Sequence, residues 1–154
     1  MNPFVLDLEH HLPAAPDRVW WAWTTVDGLR SWWWPGWAPT IRIDLRPGGD
    51  YRIEAADQQI AVFGRYLEIA PPTRLRFSWN WVDGVGGPEE TVDPEELVDV
   101  AFAADGDGTT IRLRHSGPWT TAEPVENYRQ GWLTVLGTLS DVSAEPRTAA
   151  DPRR

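Results

Sequence analysis

Residues 123–142 read EPVENYRQGWLTVLGTLSDV, and this stretch decides the fold. Val125, Tyr128, Trp132, Val135, Leu136, Leu139 and Val142 recur at three- and four-residue spacing, so they fall on one stripe of a single long helix. Gly131 and Gly137 lie within it. Each costs a helix about 1 kcal/mol relative to alanine, which points to close packing, a kink, or room left for a ligand. A helix with one apolar stripe needs an apolar partner surface, and the rest of the chain supplies strands.

Phe4 to Leu12 alternates, with Phe4, Leu6, Leu8, His10 and Leu12 on one face. Pro16 and Asp17 then suit a helix start. Val19, Trp20, Trp23 and Val26 recur at helical spacing, and Trp21 points to the opposite side. Asp27-Gly28 predicts a break, followed by a short second helix carrying Leu29, Trp32 and Trp33 that Pro35-Gly36 ends. Strands are predicted at 41–45, 51–55, 61–69, 75–81, 97–103 and 110–116. The last two form a hairpin around Asp105-Gly106-Asp107-Gly108. Leu75, Phe77, Trp79 and Trp81 share one face, with Arg74, Arg76, Ser78 and Asn80 on the other. Residues 83–96, rich in Gly, Pro, Asp and Glu, read as a long mobile acidic loop, a lid or a partner surface. The expected architecture is α+β: a curved antiparallel seven-stranded sheet wrapped around a long C-terminal helix, with two short helices after the first strand. Residues 1–143 form one domain and 144–154 a flexible tail. One helix seldom fills a strongly curved sheet, so a cavity between them is the physical expectation.

Composition bounds the function. The chain has 154 residues and no cysteine, which excludes disulfides, thiolate metal sites and cysteine nucleophiles. The formal charge of -9 argues against nucleic acid, which requires clustered Lys and Arg, and against an anionic membrane surface. No basic start followed by an apolar run marks a secretory signal, and no apolar stretch is long enough to span a bilayer, so the expectation is a soluble cytoplasmic protein. The unusual figure is eleven tryptophans. Each can bury on the order of 4–6 kcal/mol of apolar surface as an upper bound. A core of this size does not require so many, so some of the rings line a cavity or face a partner.

Several segments resemble one family. They are Val19-Trp20 with Thr24 and Leu29-Arg30-Ser31-Trp32-Trp33; Asp44-Leu45-Arg46-Pro47-Gly48-Gly49; Gly64 with Leu67-Glu68-Ile69-Ala70-Pro71-Pro72-Thr73-Arg74-Leu75; Trp79; Gly108-Thr109-Thr110; His115-Ser116-Gly117; and Gly131-Trp132 with Leu136 and Leu139. Taken in order, they resemble the branch of the START-like (SRPBCC) superfamily named after the activator of the heat-shock chaperone ATPase. The resemblance implies the helix-grip fold and a central cavity, and it implies no single activity. That family includes lipid and polyketide binders, cyclases and chaperone activators. Trp33-Trp34-Pro35, Trp37 and Gly131-Trp132-Leu133-Thr134-Val135-Leu136 are also similar to a sub-branch, the self-resistance proteins encoded beside enediyne biosynthesis.

The leading expectation is a protein that binds a hydrophobic, aromatic or polyketide-like molecule. Trp33, Trp37, Phe63, Trp79, Trp81, Tyr128 and Trp132 are the candidate walls, and Tyr66, Asn80 and His115 the candidate polar contacts. Phe63 and Tyr66 lie on opposite sides of one strand, which leaves open which of them faces inward. Trp20, Trp23, Trp79 and Trp132 also fit ordinary core, while Trp33, Trp34, Trp37, Trp81 and Trp119 fit a cavity mouth or lid. His115 is the candidate acid or base of an alternative cyclase or aromatase, since its ordinary titration suits proton transfer; a histidine satisfied at a strand end is the plainer reading. A third reading is a chaperone-activator-like interaction module. No metal or cofactor is expected: His10 and His11 point to opposite faces, and no nucleophile signature or phosphate-cradling loop occurs. The protein is expected to be a monomer or weak homodimer, Trp21 being the candidate contact.

Overall fold

The structure, a computed structural model, describes residues 4–144. Strand β1 (Val5–Leu12) leads to helices α1 (Pro16–Thr24) and α2 (Val26–Trp32) and a short 3-10 turn at Pro35–Trp37. Strands β2 (Thr40–Ile43), β3 (Asp50–Ala55), β4 (Ile60–Ala70), β5 (Arg74–Asp83), β6 (Thr91–Val92), β7 (Glu96–Asp105) and β8 (Gly108–Ser116) follow, and helix α3 (Glu123–Ala144) closes the chain. The sheet runs β1-β8-β7-β5-β4-β3-β2, with β6 attached to β5 beside that path. Every pair is antiparallel. The seven expected strands are all present, and β6 is an addition. The tail expected at 144–154 lies, apart from Ala144, outside the described residues.

Alternation decides which residues face the helix. Leu6 on β1, Leu75, Phe77 and Trp79 on β5, Val98, Val100 and Phe102 on β7, and Ile111, Leu113 and His115 on β8 are buried beneath it. From α3 come Val125, Trp132, Val135, Leu136 and Leu139, the stripe read from the sequence. Leu136 and Leu139 are wholly buried. Near that end a hydrogen bond of 2.6 Å joins His10 Nε2 on β1 to the Ser140 hydroxyl on α3. His11, on the opposite face, pairs instead with Asp105.

The break between the first two helices falls at Thr25, not at Asp27-Gly28 as expected. Thr25 is extended, and its side chain accepts a hydrogen bond from the Gly28 amide at 2.9 Å. This is an N-cap, and it starts α2 at Val26. Gly28 therefore sits inside α2. A side chain there would strike the Trp21 carbonyl oxygen and the Ala22 backbone, so this glycine serves close helix contact rather than termination.

The segment 83–96 also departs from expectation. It folds back on the end of β5, pairing Val82 with Val92 and Asp83 with Thr91. The Asp93 amide continues this pairing to the Trp81 carbonyl at 2.9 Å, and the amides of Gly84 and Val85 both bond to the Gln59 carbonyl. Glu96, read as part of the loop, is the first residue of β7 and is buried.

Gly64 lets β4 pass close against β5. A Cβ there would overlap the Ser78 carbonyl oxygen on β5, and the neighbouring Arg65 amide donates to the Ser78 hydroxyl at 2.9 Å. Replacing Gly64 with alanine must push β4 from β5, at a cost of about 1–3 kcal/mol. Thermal unfolding followed by circular dichroism is expected to show Tm lowered by about 3–10 °C. An unchanged Tm would mean that the two strands separate there without cost.

Candidate functional site

Between the sheet and the first half of α3 lies a cavity of about 560 Å³, within the range of small-molecule sites. Trp79 and Trp81 of β5 form one wall. Tyr128, Gly131, Trp132 and Val135 of α3 form the facing one. Trp33 and Trp34, at the end of α2, close one side, and Pro118 and Trp119, after β8, close another. Asp83, Asp93 and Pro94 border it from the folded-back segment, and Glu96 lines it from the start of β7.

The walls belong to one aromatic network. Trp23 stacks on Trp132 at 6.0 Å and leans on Trp32 at 4.8 Å; Trp33 meets Trp32, Trp34, Trp79 and Trp132 edge-on or tilted. Trp34 continues outward to Trp37 and Trp81, and Trp79 continues through Tyr128 to Trp119. Trp34 has a left-handed backbone (φ 50°), uncommon for a bulky residue. Trp21 stands apart, under the Arg18 guanidinium at 4.6 Å.

From this wall a chain of hydrogen bonds runs inward to His115. His115 Nε2 lies 2.7 Å from Glu96 Oε1, and the Trp119 indole N–H donates to Glu96 Oε2 at 3.1 Å. The Trp132 indole N–H donates to His115 Nδ1 at 3.0 Å. Because an indole nitrogen can only donate, Nδ1 must be the bare nitrogen and Nε2 must carry the proton given to Glu96. That arrangement fixes a neutral imidazole. Burial accordingly lowers the His115 pKa, and the hydrogen bond and charge of Glu96 only partly oppose it. Tyr128 packs on the His115 ring at 4.3 Å and accepts from the Trp79 indole at 3.1 Å. Burial first, then the Glu96 charge, holds its phenol protonated well beyond the usual range. Among the described residues, no group of three His, Asp or Glu side chains is placed to hold a metal ion.

Residues 13–144 match the family model described as activator of Hsp90 ATPase homolog 1-like protein. The chain belongs to this family. Solved structures agree on the fold. One is DynU16, a protein of the dynemicin biosynthetic locus, at 20% identity and TM-score 0.74, with 91% of this chain and 47% of that one covered. Another is CalU16 from Micromonospora echinospora, at 24% identity and TM-score 0.68, with 91% and 76% covered. A third, from Chromobacterium violaceum, has 28% identity and TM-score 0.74, with 94% and 100% covered. The chain thus spans about half the length of DynU16. No curated protein sequence matches it. No helix of the described residues is long and apolar enough to cross a membrane.

Within this family fold, the expected wall residues divide. Trp33, Trp79, Trp81, Tyr128 and Trp132 meet at the cavity. Trp37 does not line it. It is 42% exposed and leans on Trp34 from outside. Phe63 stands on the outer face of β4, where it pairs with Arg52, whose guanidinium lies over its ring. Asn80, the partner of Phe63 across the β4–β5 pairing, shares that outer face. Neither lines the cavity, because alternation turns both away from Trp79 and Trp81. Tyr66 does face inward, but it borders a separate void of about 30 Å³ beneath Trp33 and Trp79. His115 lies behind the wall, fully buried, with both ring nitrogens engaged.

Sequence reasoning placed Asp83, Asp93 and Glu96 in the acidic loop, a lid or a partner surface, and not along the cavity. Glu96 carried a usable signal, since it is in phase with Val98, Val100 and Phe102 on the inward face of β7. Asp83 carried the same kind of signal, in phase with Trp79 and Trp81 on β5, whereas Asp93 carried none, because only its pairing with Trp81 places it.

The neutral His115 makes stability depend on pH. Below the ordinary value of 6.5 the unfolded chain takes up a proton that the folded chain still refuses. The unfolded state then binds more protons, so stability falls as pH falls, by up to about 1.4 kcal/mol per pH unit. Urea unfolding of the wild type and His115→Gln, compared between pH 7.5 and 5.5, is expected to show the steeper loss in the wild type. Equal slopes would mean that His115 protonates freely in the folded protein.

Proposed function

We propose that the chain binds a flat, hydrophobic, aromatic or polyketide-like molecule in the cavity between β5 and α3. The observation that carries this reading is the cavity itself, about 560 Å³ and walled by Trp33, Trp34, Trp79, Trp81, Trp119 and Trp132. Offset or edge contacts with such rings stabilise a conjugated ligand by about 0.5–1.5 kcal/mol each beyond the area buried. Gly131 supports it further. Beyond its own stretch of helix, no atom lies within 4 Å of a Cβ built there, so this helix position gives up stability and leaves open space against the cavity.

The finer reading is sequestration in self-resistance to an enediyne-type product. It rests on Trp33-Trp34-Pro35 and Gly131-Trp132-Leu133-Thr134-Val135-Leu136, and on the likeness in fold to DynU16 of the dynemicin locus. In that reading an activated drug abstracts hydrogen from the bound protein and the chain breaks. The cyclase alternative would need His115 to face the ligand, and its two nitrogens are committed to Glu96 and Trp132. An interaction module would present an apolar surface patch in place of a deep cavity.

Gly131→Leu is the direct test. Leucine would project into the cavity while removing a helix-weakening glycine, so Tm should hold or rise. Binding of flat polycyclic polyketides, measured by native mass spectrometry beside fatty acids and an activated enediyne, should fall at least tenfold. Undiminished binding would place the ligand elsewhere. With the wild type, an unchanged adduct supports sequestration, a broken chain supports self-sacrifice, and an altered ligand would make the protein an enzyme.

A further inference from the structure

The polar groups of the cavity are unusually one-sided. Its charged lining residues are Asp83, Asp93 and Glu96, with no lysine or arginine among them. Register explains why. Asp83 follows Trp81 by two residues on β5, and so shares its face. Asp93 lies opposite Trp81, its amide bonded to the Trp81 carbonyl. Glu96 lies opposite Trp79. The carboxyl groups therefore follow the two wall tryptophans, from exposed aspartates at the mouth to a buried glutamate within. They act on one another: after partial burial, the charges of Glu96 and then Asp83 raise the Asp93 pKa. They do not converge as a metal site.

A second, independent feature belongs to Trp33. It lines the same cavity, is 4% exposed, and its indole N–H, like that of Trp23 beside the smaller void, has no hydrogen-bond partner among the described residues. An unmatched buried donor costs about 1–3 kcal/mol, and a ligand oxygen would satisfy it.

Resting on the cavity reading above, we propose that the ligand is an aromatic polycycle bearing a protonated amine, held at the mouth by Asp83 and Asp93, and a ring oxygen that accepts from Trp33. Aromatic faces beside carboxylates suit an ammonium group twice over, through the ring quadrupoles and through charge. The chain's formal charge of -9 draws cations toward the mouth before contact. An anionic ligand of the same shape would meet three carboxyl groups without a counter-charge.

The test uses three matched probes: 2-(aminomethyl)anthraquinone, 2-(hydroxymethyl)anthraquinone and anthraquinone-2-carboxylate. Titration calorimetry on the full chain at neutral pH is expected to rank them in that order, the amine about tenfold tighter than the alcohol. Added salt should shrink that advantage. Asp83→Asn combined with Asp93→Asn, both at exposed positions, should remove most of the amine's advantage over the alcohol and weaken the alcohol far less than the amine. Trp33→Phe should weaken all three probes by about threefold or more, because it removes the donor and keeps a ring. Equal affinities, or tightest binding by the carboxylate, would overturn the amine preference and leave the cavity reading standing. An unchanged affinity in Trp33→Phe would overturn the acceptor contact. Failure of all three probes to bind would overturn both the inference and the cavity reading on which it rests.

Discussion

The structure depends on a buried carboxyl group. Glu96 is 5% exposed, in the gap between sheet and helix. Taking such a group from water costs several kcal/mol unless hydrogen bonds replace its hydration. Here the replacements come from separate parts of the chain, His115 on β8 and Trp119 in the following loop, and Trp132 on α3 extends the chain of bonds through His115. Satisfying Glu96 thus fixes how β7, β8 and α3 meet. It also explains Gly117. A Cβ there would come within 2.7 Å of Glu96 Cγ and 2.9 Å of Trp119 Nε1, so only glycine lets the carboxyl and the indole approach.

The same cluster accounts for what His115 is not free to do. A general base needs a bare lone pair facing its substrate, and a general acid needs a proton to release there. The one lone pair of His115 is taken by an indole N–H and its one proton by a carboxyl oxygen. The histidine holds the helix to the sheet at the level where the cavity begins. Stability and ligand access are therefore set by the same contacts.

How much was legible in the sequence follows from how local each signal is. The α3 stripe, the alternation of β5 and β8 and the Gly106-Asp107 turn are patterns of near neighbours, and all appear as read. Asp27-Gly28 looked like a break because glycine after aspartate is a common turn; the Thr25 cap won because its hydroxyl satisfies the Gly28 amide. Asn80 was legible and misassigned: its position between Trp79 and Trp81 already turned it to the outer face. Phe63 against Tyr66 was not decidable locally, since the choice depends on which residues of β3 and β5 face the helix. Asp83 was legible too, two residues beyond Trp81 on the same face; Asp93 lay beyond reach altogether, because a loop of acidic and turn-forming residues gives no register until β6 is seen to pair with β5.

The tryptophan content follows from the need to keep a hollow open. An apolar cavity loses the contacts its lining atoms would make in a filled core, and flexible side chains relax inward to recover them. Leucine or methionine walls would do so. Indole rings resist because they are large, have few rotatable bonds, and can be fixed at both ends. Trp32 bonds to the Ala22 carbonyl, Trp79 to Tyr128, Trp119 to Glu96 and Trp132 to His115. Each ring is pinned by its N–H and braced by its neighbours' faces. Trp33 departs from this pattern, braced on several sides with its N–H unpaired. Trp23, behind it, shares this, but among the rings that line the cavity Trp33 is the one whose buried N–H has no partner among the described residues, and it is the donor proposed to meet the molecule that enters.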